Sequence, residues 1–203
     1  DRNEIAVVER DFVFLREHPT ARIAVNISVV TIERSCCDLL AVVFQNMELA
    51  ARMVFEITET VEISDMEQVM RFVAAVRVLD SKIAIDDFGT GYFTIPLVEL
   101  LKPEYLKLSC RLVDDMATTG AEIAALRQLT QHYGGVIIAE HVDTREKLEI
   151  LRGLRVEFAQ GYYLGKPMDV ETAFGHALEV DIANKVLAHR RFESVRLMNF
   201  ASK

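Results

Sequence analysis

Short apolar runs alternate with longer stretches of helical periodicity along most of the chain. Six runs read as strands, at 22–26, 53–56, 82–87, 105–108, 136–140 and 156–160. Their apolar character is continuous, the pattern of strands covered on both faces. Between them lie helical patterns. Ser64-Asp65-Met66-Glu67 has the form of a capping box, with the serine hydroxyl accepting a first-turn N–H and Glu67 reaching back. Val69, Val73 and Val76 follow at helical spacing and predict a buried stripe. Thr144 suits the N-cap of a helix holding Leu148 and Leu151, and Gly153 suits its end. Stretches 31–46 and 121–133 also read as helices. This alternation predicts a mostly parallel sheet with helices outside it. From Met168 the rhythm stops, and a helical pattern with Lys185, Arg190, Arg191 and Arg196 predicts a closing helix and helical tail over 169–203.

Composition narrows the function classes. The chain has 203 residues, 51% hydrophobic and 27% charged, which excludes a disordered protein and allows one large core. Asp and Glu outnumber Lys and Arg by 31 to 23, so the surface is wrong for DNA. A small phosphate ligand held through metal ions remains compatible, because that chemistry calls for carboxylates. The longest apolar runs, such as 39–44, fall far short of the roughly 18 residues of a membrane span. Cys36, Cys37 and Cys110 form neither a disulfide framework nor a zinc spacing, which fits a cytoplasmic domain, whether or not the full-length protein is membrane-attached.

A polar residue stands at or near the C-terminal end of every strand run: Asn26, Glu56, Asp86 with Asp87, Lys107, Glu140 and Gln160. Their separations of 30, 30, 21, 33 and 20 residues suit a β/α barrel, which averages about 31 residues per unit. In such a barrel the carboxyl ends of all strands converge on one face, so these residues are expected to meet. Four carboxylates and two amides make an oxygen-rich site that needs either a proton or cations to relieve its repulsion. Mg²⁺ and Mn²⁺ prefer such ligands, and adjacent aspartates can bridge two ions. Lys107 would add positive charge for a phosphate. Each residue also has a plainer reading. Asn26 could cap the next helix, Gln160 could be a turn residue, and Lys107 could snorkel to solvent. The Asp86-Asp87 pair, expected to be buried, is the strongest single signal, with Gly89 and Gly91 allowing close backbone approach to a ligand.

Taken together the motifs resemble the EAL domain family of bacterial cyclic di-GMP phosphodiesterases. Residues 86–92 resemble its DDFGTGY signature, 25–28 its VNxS block, 55–59 its E-x-T-E block and 105–107 the start of YLKID. Ala139-Glu140 begins AEGVE, and 160–167 resembles QGYxxxxP. The resemblance covers about residues 1–168. It implies an α/β fold, a TIM-type (β/α)8 barrel, and hydrolysis of cyclic di-GMP to linear pGpG with two Mg²⁺ or Mn²⁺ ions. By resemblance Asn26, Glu56, Asp86 and Asp87 are metal ligands. Glu140 binds metal or its water and serves as general base. Lys107 holds water or phosphate, and Gln160 completes the second ion's shell and contacts substrate. Glu59 steadies the Asp-Asp loop, which in relatives couples the site to dimerisation; Glu56 and Glu59 lie on opposite faces of an extended segment. A homodimer and accompanying sensory or GGDEF-type domains are also implied.

The chain departs from the family pattern in places. It contains no Glu-Ala-Leu motif and opens on what resembles the following helix, so the first two family strands are missing from it and an omitted upstream segment is expected. Ser109 replaces the acid of YLKID, a change expected to remove a charge that orients Lys107. His141 and Asp143 replace the glycine and second glutamate of AEGVE, and Phe93 and Pro96 alter the stretch after DDFGTGY. These changes leave room for an alternative, a catalytically impaired receptor for cyclic di-GMP or a protein-interaction module.

Overall fold

A computed structural model describes residues 2–58 and 62–166. Six parallel strands pair in chain order: β1 (Ile23–Ser28), β2 (Met53–Thr58), β3 (Lys82–Phe88), β4 (Tyr105–Leu108), β5 (Val136–Ala139) and β6 (Phe158–Ala159). The helices are α1 (Arg2–Glu17), α2 (Val29–Gln45), α3 (Met47–Ala50), α4 (Met66–Val78), α5 (Ile95–Leu101), α6 (Cys110–Asp114), α7 (Met116–His132) and α8 (Arg145–Gly153). The architecture is the expected α/β one, a parallel six-stranded part of a TIM-type barrel. The tail expected over 169–203 lies outside the described residues.

The strands separate two apolar layers. Val25, Ile27, Phe55, Ile57, Ile83, Ile85, Leu106, Leu108, Ile137 and Ala139 face the helices and join Val69, Phe72, Val73, Val76, Ile123 and Leu126 in the main core. Val54, Ala84, Tyr105 and Ile138 form a second cluster on the opposite, inner face, with Ala24, Val136 and Phe158 packed against it. Two apolar faces account for runs that are continuous rather than alternating.

Local chemistry sets the helix ends. Thr144 caps α8 as expected, its side chain accepting from the Lys147 N–H at 3.2 Å. The capping box at Ser64 does not form. Asp65 is the N-cap of α4 and accepts from the Gln68 N–H at 3.1 Å, while the Ser64 hydroxyl donates to Glu33 at 2.8 Å. Gly153 is the last helical residue of α8, and the left-handed position after the helix falls to Arg155, with φ 58°. The Val156 N–H bonds Leu151 O at 3.0 Å and closes that turn, so β6 starts later than the sequence pattern suggests.

At the N-terminal ends of the strands a clamp recurs. Glu104, just before β4, accepts from the Ile83 N–H of β3 at 2.8 Å and pairs with Arg77 of α4 at 3.0 Å. Glu157, just before β6, repeats this with the Ile137 N–H of β5 at 3.2 Å and Arg127 of α7 at 3.1 Å. Arg52, just before β2, donates to the carbonyls of Leu15, His18, Pro19 and Ala21 at the end of α1. A charge-assisted bond to a strand N–H contributes about 2 kcal/mol. Glu104→Ala is therefore expected to lower the melting temperature by about 4–8 °C. Glu149→Ala, which breaks only a half-exposed pair with Arg152, should shift it by less than about 2 °C. Thermal denaturation by circular dichroism checks both.

Candidate active site

Strand alternation places residues i and i+2 on one face. Two residues beyond the inner apolar positions Ala24, Val54, Ala84, Tyr105, Ile138 and Phe158 stand Asn26, Glu56, Asp86, Lys107, Glu140 and Gln160. The polar set is thus a layer laid directly over the inner apolar one, at the carboxyl ends of the strands. Sheet register brings Asn26 opposite Glu56 and Lys107 opposite Ile138.

Lys107 is the centre of this layer. Its side chain is only 6% exposed, and its Nζ lies 2.6 Å from Asp86 Oδ1, 2.9 Å from Glu56 Oε2 and 3.0 Å from Glu140 Oε1. An ammonium has three donors and here meets three carboxylates. Burial alone would lower its pKa, but Glu56, Glu140 and Asp86 more than reverse this and hold it well above the ordinary lysine value. Burial pushes Glu56 and Glu140 above the usual carboxylate range; Lys107 opposes the rise, while the charge of Asp86 adds to it at both and that of Asp87 at Glu140. Glu56 Oε1 and Gln160 Oε1 are buried and accept no hydrogen bond among the described residues.

A β-bulge delivers the two adjacent aspartates. Ile85 pairs with Leu106 and Phe88 with Leu108, so β3 advances three residues where β4 advances two. Asp87 takes up the extra residue in a left-handed conformation, φ 50°, which aspartate tolerates better than most residues. It is exposed at the mouth, not buried as expected, because the bulge swings it out of the layer that holds Asp86. The turn is tied by Thr90, whose hydroxyl donates to Asp87 O at 2.9 Å.

Asn26 does not cap α2; that role falls to Ser28, whose hydroxyl accepts from the Thr31 N–H at 3.2 Å and donates to Glu4 at 3.1 Å. Gln160 carries the backbone bond that pins the neighbouring loop, with Val142 N–H donating to its carbonyl at 3.0 Å. Gly161 is required beside it, since a Cβ there would stand 2.3 Å from Val142 N. Lys107 is buried and does not snorkel. Ser109 is the buried N-cap of α6, and Lys107 is oriented by three carboxylates without it, so the charge lost at 109 is not what holds the lysine. Glu59 lies outside the described residues. Sequence reasoning passed over Lys147, which ties the loop after Glu140; its only signal was a lysine where a capping box has glutamate.

The EAL domain profile matches residues 2–167. The chain belongs to the EAL domain family. It is 25% identical over 170 residues to "Cyclic di-GMP phosphodiesterase PdeF" of Escherichia coli K12, covering 79% of this chain and 23% of that protein. The chain spans about a quarter of the length of the curated relatives it first matches. Among solved structures it is similar to Klebsiella pneumoniae BlrP1 in a manganese/cy-diGMP complex, with TM-score 0.69 and 25% identity over 79% of this chain and 43% of that one. The Xanthomonas citri FimX EAL domain in complex with c-diGMP shares the fold at TM-score 0.72 and 19% identity, over 81% of this chain and 69% of that one.

The donor set of this EAL domain fits divalent ions. It offers oxygen only, with four carboxylates against one ammonium and two buried oxygens lacking partners. Among the described residues no three Asp, Glu, His or Cys side chains converge on one ligating point, because the carboxylates converge on Lys107 Nζ instead.

A carboxyl whose folded pKa exceeds its unfolded value binds its proton more tightly when folded. It costs stability above the folded pKa and none below the unfolded one. Glu140→Gln keeps an acceptor for Lys107 and removes the charge. In chelator, it is expected to raise the melting temperature by a few degrees at pH 8, with the gain fading as pH falls towards 4.5; melting curves across that range check the sign.

Proposed function

We propose that this EAL domain hydrolyses cyclic di-GMP to linear pGpG, using Mg²⁺ or Mn²⁺. The single observation that carries the reading is the Lys107 ammonium held against Glu56, Asp86 and Glu140 at the mouth of the sheet. Relatives named as cyclic di-GMP phosphodiesterases support the choice of substrate.

Asn26, Glu56, Asp86, Asp87, Glu140 and Gln160 would hold the ions. Bound there, divalent cations would lower the pKa of water and neutralise the phosphodiester. The protein's own groups do the rest. Lys107 would place a positive charge beside the phosphate and its attacking water. Glu140, its Oε1 3.0 Å from Lys107 Nζ, would accept the proton of the attacking water as general base. Gln160 would orient substrate through its free amide oxygen and its NH₂ group, and Glu59 would steady the bulge. On this reading the domain is cytoplasmic, and the full-length protein is a homodimer with sensory or GGDEF-type domains.

The test is incubation of the full-length protein with cyclic di-GMP and Mg²⁺ or Mn²⁺, with pGpG followed by chromatography. Product should form and cease with chelator. Asp87→Asn should cut turnover by roughly 10–100-fold and leave the melting temperature within a few degrees, because it relieves a like-charge cluster. Calorimetric binding of the nucleotide without pGpG would overturn the hydrolase in favour of a receptor.

A further inference from the structure

Lys147 breaks a local rule. It is the third residue of α8, where a capping box starting at Thr144 would carry glutamate, and where the helix dipole disfavours a cation. Its backbone N–H satisfies the cap, but its side chain leaves the helix. The ammonium lies 2.8 Å from Asp114 Oδ1, 2.7 Å from Asp143 Oδ1 and 3.2 Å from the His141 carbonyl. Although its two acid partners are more than half exposed, Lys147 is itself only 17% exposed.

Those acceptors belong to two segments. Asp114 ends α6, which follows directly from the strand bearing Lys107. His141 and Asp143 belong to the loop that follows Glu140. His141 is held at φ 56°, in the left-handed region, at the place where the AEGVE pattern has glycine. The residue is exposed, so no burial of its ring offsets the strain. Val142 ties the loop to the end of β6, its N–H on Gln160 O and its carbonyl accepting from the Tyr163 N–H, while Lys147 holds the His141 carbonyl and Asp143. Lys147 is the contact among these that also reaches across to α6.

We propose that Lys147 is a positioning residue whose ammonium latches the loop after β5 to α6 and so fixes Glu140 against Lys107. Its kinetic consequence rests on the hydrolase reading; its structural consequence does not. The exposed acids should make the latch weaken in high salt.

Hydrogen exchange and kinetics on the full chain test it together, with Lys147→Met, Lys147→Arg and the double variant Lys147→Met/His141→Gly. In Lys147→Met the amides of Glu140 and Val142, bonded to Leu108 O and Gln160 O, should lose protection by roughly tenfold, while those of Phe55 and Ile83 keep theirs. Turnover should fall about tenfold with KM changed less than twofold. Arginine should retain most of both properties. Adding His141→Gly should recover them, because glycine adopts the left-handed conformation without a latch. Unchanged protection at 140 and 142, or an equal loss at 55 and 83, would overturn the proposal. So would a failure of the glycine to rescue. Should the wild type form no pGpG, the hydrolase reading falls while the exchange pattern still decides the latch.

Discussion

One buried ammonium shared by three carboxylates holds the mouth of this sheet together. Its cost is large on both sides. Burying a charge costs several kcal/mol per ion, and Lys107 is repaid only because Asp86, Glu56 and Glu140 each approach within 3.0 Å. The carboxylates are not repaid in full, since four acids at one mouth face one cation. The excess negative charge is what makes the layer suited to divalent ions, and it also makes the apo site a poor contributor to stability.

Stability therefore has to come from elsewhere, and it is segregated along the strands. Directly beneath the polar layer, Val54, Ala84, Tyr105 and Ile138 form a buried inner cluster. At the opposite ends, Arg52, Glu104 and Glu157 each bind the preceding unit, to a strand N–H or to helix carbonyls. Barrel enzymes keep chemistry at the carboxyl ends and stability at the amino ends, and this chain has its buried charge cluster at the carboxyl ends and its clamps at the amino ends. The Lys107–Glu140 pair links adjacent strands, so the loops that follow those strands bear on how well it is aligned.

Much of this was legible in the sequence. Continuous apolar runs gave the strands, and a polar residue at each strand end gave the layer of the site. The family resemblance rested on the same residues, with DDFGTGY the most specific block. What was not legible depended on backbone geometry. Periodicity cannot show that β3 advances three residues against two, so the different burial of Asp86 and Asp87 was missed. Lys107 could be read as snorkelling to solvent, because a lone lysine on a strand says nothing until three acids from other strand ends are seen around it. The capping box at Ser64 failed because Glu33, distant in sequence, competes for the serine. His141 in a left-handed conformation was visible only as a departure from a glycine pattern.

The most direct measurement is the melting temperature of Lys107→Met as a function of pH in the absence of metal. Removing the cation leaves Glu56, Asp86 and Glu140 buried and unpaired, a loss of about 3–5 kcal/mol. Protonating Glu56 and Glu140, which burial already holds above the usual carboxylate range, relieves the penalty. The account predicts a deep deficit relative to wild type at pH 8 that narrows steadily towards pH 5. A deficit of the same size at every pH would mean that Lys107 fills space rather than neutralising the acids, and would contradict the account.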